Sequence, residues 1–459
     1  MSDPCDSASD PGRREALLRL AGLSLGAACG AVPGCGKGGG SGSDTAPGRP
    51  ASDAASAPDA AARPARPVLD ASVGATDGGA AAAASIKPYR PPDTVAMFRG
   101  DASRRWNGSG PLSAKLKLEW KFQTDRFYTG LRNGGKYKWT GTGWTGQAAV
   151  SGNRVVFGSL DRALYCLDAG TGRLRWRSLG ARQWKSSPCI HGQRVYCGNV
   201  DGRLYCVNLR NGLRHWRYQT ERPIDSSPVV VDGRLYVGQE TGHVVCLDPQ
   251  SGRRIWRTYV GGREGEAGGS GCESSPAVVD GRVYIGCWDG YLHCLEQATG
   301  KKLWRARTHH DTDSTPVVVG DRIFVGSESS FVFCFDRLTG KELWRHKTGK
   351  GIWATPAWAD GKVYVGSDDR QLYCLDGATG EQQWVYVAGD GIWSSACVVD
   401  GKVVFGSFDG LIRMLDAATG KLLWSYRTRG PVVSSACVVE GRVYMGSRDG
   451  YFYCFGAEG

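Results

Sequence analysis

The sequence lacks an apolar run long enough to cross a lipid bilayer as a helix. The run from Leu20 to about Val32 is shorter than the roughly 20 residues that a membrane span needs. Residues 91–459 also lack Gly-x-Ser-x-Gly, His-Glu-x-x-His, the P-loop pattern and the haem-attachment motif Cys-x-x-Cys-His. The one Gly-x-Ser-x-Gly match in the sequence, GLSLG at 22–26, lies within the short apolar run. Residues 91–459 therefore carry no motif of a serine hydrolase, a zinc peptidase, a P-loop nucleotide hydrolase or a c-type haem protein.

The first 35 residues have the pattern of an export signal. Arg13 and Arg14 precede the apolar run, and small residues lead to Cys35. The arginine pair resembles a twin-arginine signal, and general secretory export is the alternative. Cys35 resembles the lipidated cysteine of bacterial lipoproteins, with Cys29 as its rival. We therefore expect residues 1–35 to be a signal that leaves a lipid-anchored protein outside the cytoplasm.

Residues 36–90 differ sharply in composition from the rest of the chain. They consist mostly of Ala, Gly, Ser, Pro and Asp, which cannot bury a core, so we expect a disordered tether. Residues 1–90 hold nine Lys and Arg and nine Asp and Glu. The formal net charge of +12 therefore lies on residues 91–459, and the folded part is basic.

Residues 91–459 contain one repeat, as in "LYCLDAGTGRLRW" at 164–176. Five of the six intervals between the closing tryptophans are 40 residues long and one is 48. Each copy, such as "SSPVVVDGRLYVGQETGHVVCLDPQSGRRIW", holds four strand-like runs, here termed A to D, separated by Asp-Gly and similar turns. Each copy is therefore predicted to be a four-stranded antiparallel sheet, and a radial array of such blades protects their faces.

The ends of the repeat array predict how the ring closes. The last copy, "SSACVVEGRVYMGSRDGYFYCF", has strands A, B and C without a strand D. The missing strand is found upstream, in "LKLEWKFQ" around Trp120. The predicted fold is therefore an all-β, eight-bladed propeller whose last blade is completed by an N-terminal strand. The eight repeat tryptophans are Trp120, Trp176, Trp216, Trp256, Trp304, Trp344, Trp384 and Trp424.

The repeat residues carry a family resemblance. With Cys166 as position 1, Asp168, Thr171, Gly172 and Trp176 occupy positions 3, 6, 7 and 11. This pattern resembles the tryptophan-docking repeat of quinoprotein-like (PQQ-like) β-propellers, over residues 116–459. The resemblance implies that each tryptophan packs between neighbouring blades over a glycine peptide.

Cysteine occupies the first repeat position in seven copies, and Met414 takes it in the other. Because free cysteine behaves as a small hydrophobic residue, we interpret these cysteines as packing residues rather than metal or redox groups. Cys197 and Cys206 are an exception that stays open. If Asp201 and Gly202 form the turn, the two cysteines face each other and are able to form a disulfide.

One set of residues is a candidate binding site. The residue three positions before the Pro or Ala that opens strand A is expected at the rim of the central funnel. From blade two onward these residues are Lys185, Asp225, Glu273, Asp313, Trp353, Trp393 and Val433, and Trp144 and Trp184 lie one residue earlier in blades one and two. Carboxylates followed by indoles suit a cation or an extended peptide; the alternative is that they only cap strand ends.

Two insertions, 125–146 and 261–271, fall in connections between strands D and A, and therefore on the face of this rim. Insertions on one face of a repeat protein are typical of a binding face. His309 and His310 beside Asp311 are a weaker hint of metal, since adjacent side chains point apart on a strand.

A basic residue follows the repeat tryptophan in six blades: Lys121, Arg177, Arg217, Arg257, Arg305 and Arg345. Because strand D is outermost, these residues are expected to form a belt on the side wall. Charge that protects an exposed edge strand is the favoured interpretation, and contact with anionic lipid or an acidic partner is the alternative. Nucleic-acid binding is not indicated, since no known nucleic-acid module is present.

The resemblance also offers two candidate functions, a dehydrogenase and a scaffold. Quinoprotein dehydrogenases of this superfamily hold PQQ and calcium and carry adjacent cysteines as a vicinal disulfide, whereas this sequence has no Cys-Cys dipeptide. We therefore expect no PQQ, no calcium or other metal, and no catalysis. Blade number, size and anchoring resemble lipoprotein propellers of the outer-membrane β-barrel assembly machinery. The expected function is a monomeric scaffold, lipid-anchored on the bacterial outer membrane and facing the periplasm, that binds a membrane-associated protein. A PQQ- and calcium-dependent dehydrogenase or a small-ligand-binding propeller is the alternative.

Overall fold

The computed structural model describes residues 96–458, with gaps at 106, 126, 131–135, 140–145 and 263–270. The predicted signal, Cys29, Cys35, the tether and Trp144 lie outside the described residues. The same holds for most of both insertions. None of the described residues forms a helix that could span a membrane.

The strands follow the repeat. The first strand is β1 (Leu116–Gln123), and the first insertion adds the hairpin of β2 (Phe127–Gly130) and β3 (Lys136–Trp139). Blades one to four contain β4 (Ala149–Ser151), β5 (Arg154–Gly158), β6 (Ala163–Asp168), β7 (Leu174–Leu179), β8 (Cys189–His191), β9 (Arg194–Asn199), β10 (Arg203–Asn208), β11 (Arg214–Gln219), β12 (Val229–Val231), β13 (Arg234–Gly238), β14 (His243–Leu247), β15 (Arg254–Tyr259), β16 (Ala277–Val279), β17 (Arg282–Cys287), β18 (Tyr291–Glu296) and β19 (Lys302–Arg307).

Blades five to eight contain β20 (Val317–Val319), β21 (Arg322–Ser327), β22 (Phe331–Asp336), β23 (Glu342–Lys347), β24 (Ala357–Ala359), β25 (Lys362–Gly366), β26 (Gln371–Asp376), β27 (Gln382–Val387), β28 (Cys397–Val399), β29 (Lys402–Gly406), β30 (Leu411–Asp416), β31 (Leu422–Arg427), β32 (Cys437–Val439), β33 (Arg442–Gly446) and β34 (Tyr451–Ala457). In each blade the strands pair with their sequence neighbours in four-stranded antiparallel sheets. The short innermost strands contact one another in sequence, and β32 contacts β4, which closes the ring. The predicted eight-bladed, all-β propeller is confirmed.

The last blade is completed by the N-terminal strand, as predicted. β1 pairs with β34 in antiparallel register, and Trp120 lies opposite Cys454. The other blades repeat this pairing, since Cys166 lies opposite Trp176 and Met414 lies opposite Trp424. The small first repeat position thus sits beside the docking indole, which explains the recurrent cysteine. The thirteen described cysteines are all buried thiols.

The repeat tryptophans dock on the next blade as the resemblance implies. Gly212 has a φ of 71°, and a Cβ on it would lie 2.6 Å from the Trp176 ring, so the site needs a glycine. The Trp176 indole N–H donates to the Leu209 carbonyl at 2.9 Å. Equivalent indole hydrogen bonds are made by Trp120, Trp216, Trp256, Trp344, Trp384 and Trp424. The indole nitrogen of Trp304 is buried without an acceptor among the described residues.

The possible disulfide between Cys197 and Cys206 is excluded by the strand register. Cys197 pairs with Tyr205, and Cys206 pairs with Tyr196. The connection from β9 to β10 contains three residues rather than the two of a tight Asp-Gly turn, so the register is shifted by one. A shift of one turns a side chain to the other face of the sheet. The two thiols therefore belong to different core clusters.

A segment that the sequence did not predict fills the central channel. Residues 96–105 and 107–109 make hydrogen bonds to innermost strands, and the arginines Arg99 and Arg104 are almost completely buried. Their guanidinium groups donate hydrogen bonds of 2.5–3.1 Å to the carbonyls of Ser227, Pro276, Thr355 and Ala396. Burial lowers the pKa of both arginines to about 10, so both remain charged at neutral pH. The segment therefore ties four blades together from inside the ring.

Candidate functional site

Six of the predicted rim residues come together in two groups, because equivalent loops of neighbouring blades lie side by side, whereas Val433 is buried. Each belongs to the loop that leads into a short innermost strand, immediately before buried Ser, Thr or Ala residues. The described rim divides into two arcs. The acidic arc contains Lys185, Asp225, Glu240, Glu273 and Asp313. The aromatic arc contains Trp353, Trp393 and Phe408.

The acidic arc is built around an ion pair between blades two and three. Lys185 Nζ lies 2.6 Å from Asp225 Oδ2, and the two side chains are 10% and 8% exposed. Oxygens of Asp225, Glu240 and Glu273 all lie within 4.8 Å of one another. The Glu240 Oε1 atom is buried without a hydrogen-bond partner among the described residues. The arc therefore holds one ammonium group among several crowded carboxyl groups.

Burial and crowding change the protonation of this arc. Burial lowers the pKa of Lys185, but the charges of Asp225, Glu273 and Glu240 outweigh it, so its pKa is raised and the ammonium persists. Burial, followed by the neighbouring carboxylates, raises the pKa of Glu240 well above its ordinary value. The pKa of Glu273 is raised in the same way, by burial and then by Asp313 and Asp225. A raised pKa favours the neutral carboxyl form, which donates as well as accepts hydrogen bonds and is therefore suited to polar backbone groups of a ligand.

The aromatic arc is built from blades six and seven. Trp353 and Trp393 are stacked with ring centroids 4.4 Å apart and an angle of 3° between the rings. Phe408 meets Trp393 edge-on at 4.6 Å, and the Trp393 indole N–H donates to Asp368 Oδ1 at 3.2 Å. Trp393 is only 3% exposed, whereas Trp353 is partly exposed. The outer part of this stack available to a ligand is therefore Trp353.

The connections between strands B and C supply a second set of rim residues that the sequence analysis missed. They include Glu240, Trp288, Asp368, Phe408 and Arg448, each two residues after the glycine near the end of strand B. Trp288 donates its indole N–H to Asp313 Oδ1 at 2.7 Å. The signal was present in the sequence, because this position varies from blade to blade while the glycine before it recurs.

Trp184 was predicted at the rim, and this prediction is wrong. The side chain is fully buried, packs against Gly158 and Tyr205, and donates its indole N–H to the Arg162 carbonyl. Its position corresponds to Ile224 in the next blade, which faces the core. Neighbouring residues of an extended chain point to opposite sides, so Lys185 takes the rim position and Trp184 the core.

Two further clusters consist of residue types that bind metals. One of them contains a side-chain hydrogen bond that recurs at the same place in other blades. Asp289 and His293 make a hydrogen bond of 3.0 Å, near Cys287. Tyr165 bonds Asp161 with the same spacing in blade one. The equivalent pairs elsewhere are Tyr205 with Asp201, Tyr373 with Asp369, Arg413 with Asp409 and Tyr453 with Asp449. The histidine is thus the blade-four form of a structural contact.

The second cluster contains His310, Asp311 and Glu328, whose ligand atoms lie within 4.8 Å of one another. His310 Nδ1 lies 3.8 Å from Asp311 and 3.6 Å from Glu328. His309 and His310 follow β19 and lie in a loop rather than in a strand. His309 has a φ of 70° and stacks on Phe333, with ring centroids 6.1 Å apart.

The basic belt is exposed on the outermost strands, as expected for Lys121, Arg177, Arg217, Arg257, Arg305 and Arg345. Several of its members lie over an aromatic residue of the neighbouring strand. The Arg305 guanidinium is 4.3 Å from the centre of the Tyr291 ring, and Lys121 Nζ is 4.7 Å from that of Tyr451. These contacts cover the sheet edge and agree with a protective role.

Three features of the sequence and the rim bear on the binding of PQQ with calcium. Trp353 and Trp393 each cover one face of the other, so the outer face of Trp353 is the surface left for a planar ring. The carboxyl cluster that could receive a divalent cation already holds the ammonium group of Lys185 against Asp225. No adjacent cysteines occur in the sequence.

The sequence and the structure were both similar to known proteins. A model of the family described as "Outer membrane protein assembly factor BamB" matches residues 118–287 and 288–458. A search of curated proteins found no match. The structure resembles BamB from Moraxella catarrhalis, with a TM-score of 0.61 and 20% identity over 75% of this chain and 98% of that one.

Dehydrogenases of similar fold were also found. A europium-containing methanol dehydrogenase has a TM-score of 0.67 and 14% identity over 79% of this chain and 98% of that one. Quinohemoprotein alcohol dehydrogenase from Comamonas testosteroni has a TM-score of 0.67 and 15% identity over 81% and 82%. At these identities the likeness concerns the fold alone.

Proposed function

The chain belongs to the outer membrane protein assembly factor BamB family, and we propose that it is a non-catalytic scaffold whose funnel rim binds a segment of a membrane-associated protein. The proposed location is outside the cytoplasm, on a lipid anchor at Cys35, with the propeller facing the periplasm. The proposed partner is the β-barrel assembly machinery of the bacterial outer membrane. Family membership supports this partner and location, and the rim supports the binding mode.

The observation that carries the proposal is the division of the rim into acidic and aromatic arcs. An extended peptide presents both backbone amides and side chains. The carboxyl groups of Asp225, Glu273 and Glu240 are suited to backbone amide groups, while Trp353 offers a flat apolar surface.

Site-specific photo-cross-linking tests the binding face. A photoreactive phenylalanine derivative replaces Trp353 in the full chain, and in a matched variant it replaces Arg257 on the belt. After irradiation of membranes, we expect the Trp353 position to cross-link to a component of the β-barrel assembly machinery, identified by mass spectrometry. Cross-links from Arg257 without any from Trp353 would move the binding face to the side wall.

A dehydrogenase is the second candidate, because quinoprotein alcohol dehydrogenases share the fold. The test is direct. Purified protein is incubated with PQQ and calcium, desalted, and examined for quinone absorbance and for dye reduction with alcohols or sugars. We expect neither signal, because the sequence has no adjacent cysteines and the carboxyl cluster already holds the ammonium group of Lys185. Retained quinone together with substrate-dependent dye reduction would establish the enzyme instead.

A further inference from the structure

Blade four contains two cysteine sulfurs in direct contact. Cys272 lies in the loop before β16, and Cys287 is the last residue of β17. Their Sγ atoms are 2.9 Å apart, and both side chains are fully buried. Disulfide sulfurs are about 2.05 Å apart, so a covalent bond needs an approach of about a further 0.9 Å. The backbone already places the two side chains toward each other.

Among the described blades, only blade four has cysteine at both of these positions. A recurring hydrogen bond identifies the corresponding positions in the other blades. The residue at the Cys272 position donates its backbone N–H to the carbonyl at the Cys287 position of the preceding blade, as Thr312 does to Cys287 and Ile352 does to Ser327. At the position of Cys272 the other blades carry Trp184, Ile224, Thr312, Ile352, Ile392 and Val432, and at that of Cys287 they carry Ser159, Asn199, Gln239, Ser327, Ser367, Ser407 and Ser447. Packing alone does not require that an apolar position and a polar position both become cysteine in the same blade.

The pair also lies where the fold has an extra element. Cys272 directly follows the insertion 261–271 and directly precedes the rim residue Glu273. Trp288, which follows Cys287, covers Gly271 so closely that a Cβ there would lie 2.4 Å from the indole. A bond between the sulfurs would therefore fasten the end of the insertion to strand β17 beside the acidic arc.

We propose that Cys272 and Cys287 form an intramolecular disulfide that fixes the end of the blade-four insertion at the funnel rim. The oxidant is a disulfide compound, either a small-molecule disulfide or a protein thiol oxidase. One cysteine thiolate attacks a sulfur of the oxidant, which releases one thiol and leaves a mixed disulfide. The other cysteine thiolate then displaces the second thiol. The protein sulfurs lose two electrons to the oxidant disulfide, and two protons pass to the released thiols.

Burial governs when this reaction occurs. Burial, followed by contact with Cys287, raises the pKa of Cys272 well above its ordinary value. The reactive thiolate is therefore scarce in the folded blade, and exchange is slow there. The bond is expected to form before blade four has closed, and to resist external reductants once it has closed.

Peptide mapping of the full chain tests the proposal. Protein unfolded with reductant is refolded by dilution into oxidised and reduced glutathione, alkylated in denaturant without reductant, and digested. A second sample is exposed to oxidised glutathione in the native state. We expect a cross-linked peptide pair containing Cys272 and Cys287, 2 Da lighter than its two thiol peptides together because two hydrogens are lost. It should disappear on reduction, and it should form faster in the refolding sample.

Matched variants make the assignment specific. Cys287→Ser introduces the residue that most blades carry at this position, so it should fold and lose the cross-linked pair. Cys334→Ala, a change at a buried thiol of blade five, should leave the pair intact. The proposal is overturned if both cysteines are alkylated without reductant in the refolded and native samples. It is equally overturned if metal analysis finds a zinc ion that depends on Cys272, Cys287 and His293.

Discussion

The indole of Trp353 lies flat on the indole of Trp393, with ring centroids 4.4 Å and planes 3° apart. Trp393 is enclosed by this contact and by Phe408, and it is 3% exposed. The two residues looked equivalent in the sequence, but the structure gives them different roles. Trp353 is available to a ligand, whereas Trp393 supports it.

The first prediction separates these two roles. Trp353→Ala should leave the thermal midpoint nearly unchanged and weaken partner binding by about 2 kcal/mol or more, because exposed aromatic residues often dominate interface energies. Trp393→Ala should instead lower the free energy of unfolding by roughly 3–5 kcal/mol, because it removes a buried indole. Calorimetry and partner titration measure the two effects. Full partner binding by a folded Trp353→Ala protein would place the binding site elsewhere.

The second prediction concerns ring closure. Deletion of residues 91–122 removes most of β1, Trp120 and the channel segment, so blade eight loses its outer strand. Deletion of 91–111 removes the channel segment but keeps β1. We expect the full chain to have the highest thermal midpoint, the shorter deletion a lower one and the longer deletion the lowest. The longer deletion should destabilise more than Trp344→Ala, itself worth roughly 3–5 kcal/mol. Equal midpoints for the full chain and the longer deletion would contradict closure by β1.

The third prediction isolates tryptophan docking through two glycines of blade three. Gly252 has a φ of 72°, and a Cβ there would lie 2.7 Å from the Trp216 ring. Gly233 has a φ of 68° but nothing within 4 Å of such a Cβ. Both alanine variants bear the cost of a left-handed conformation, about 1–2 kcal/mol. Gly252→Ala should lose roughly a further 1–3 kcal/mol through the clash, measured by denaturant unfolding. Equal losses would mean that the indole moves aside freely.

The fourth prediction concerns pH. The folded pKa values of Glu240 and Glu273 are raised well above 4.5 by burial and by neighbouring carboxylates. As pH rises through 4.5, the unfolded chain loses these protons first, so their contribution to stability is lost as pH approaches the folded pKa values. The difference in free energy of unfolding between the Glu240→Gln/Glu273→Gln protein and wild type should therefore be more favourable to the variant at pH 8 than at pH 4.5.

Denaturant unfolding at the two pH values measures this difference. Glu221→Gln/Glu381→Gln, at two exposed positions, controls for the change in net charge. A difference that stays constant with pH, or that matches this control, would mean that the two buried glutamates are ionised in the folded protein.

The fifth prediction concerns the anchor. Cys35→Ser should release the protein from membranes and abolish incorporation of labelled palmitate, because no thiol remains for lipid attachment at that site. Cys29→Ser should leave both unchanged. Membrane fractionation and metabolic labelling measure the outcome. Label retained by Cys35→Ser but lost by Cys29→Ser would transfer the anchor to Cys29.

The candidate site was only partly predictable from the sequence. The position of each residue before the opening of strand A predicted one rim that includes Asp225, Glu273, Trp353 and Trp393. The structure then showed that Asp225 lies close to Glu273 and that Trp353 stacks on Trp393. It failed for Trp184, because one residue along an extended chain separates the rim from the core. Glu240 and Trp288 were missed because they come from a different connection of each blade, which only the closed ring brings beside the first.

The sequence by itself determined the blade, the number of blades and the closing strand, because these depend on local alternation, turn residues and a fixed spacing of tryptophans. Only the tertiary structure decided which side chains meet. Strand register placed Cys197 and Cys206 of blade two on opposite faces of their sheet. The loop before β16 placed the Cys272 sulfur 2.9 Å from that of Cys287. The segment before β1 placed Arg99 and Arg104 among carbonyl groups of distant blades. Contacts of this kind join residues far apart in the chain, so no local pattern encodes them.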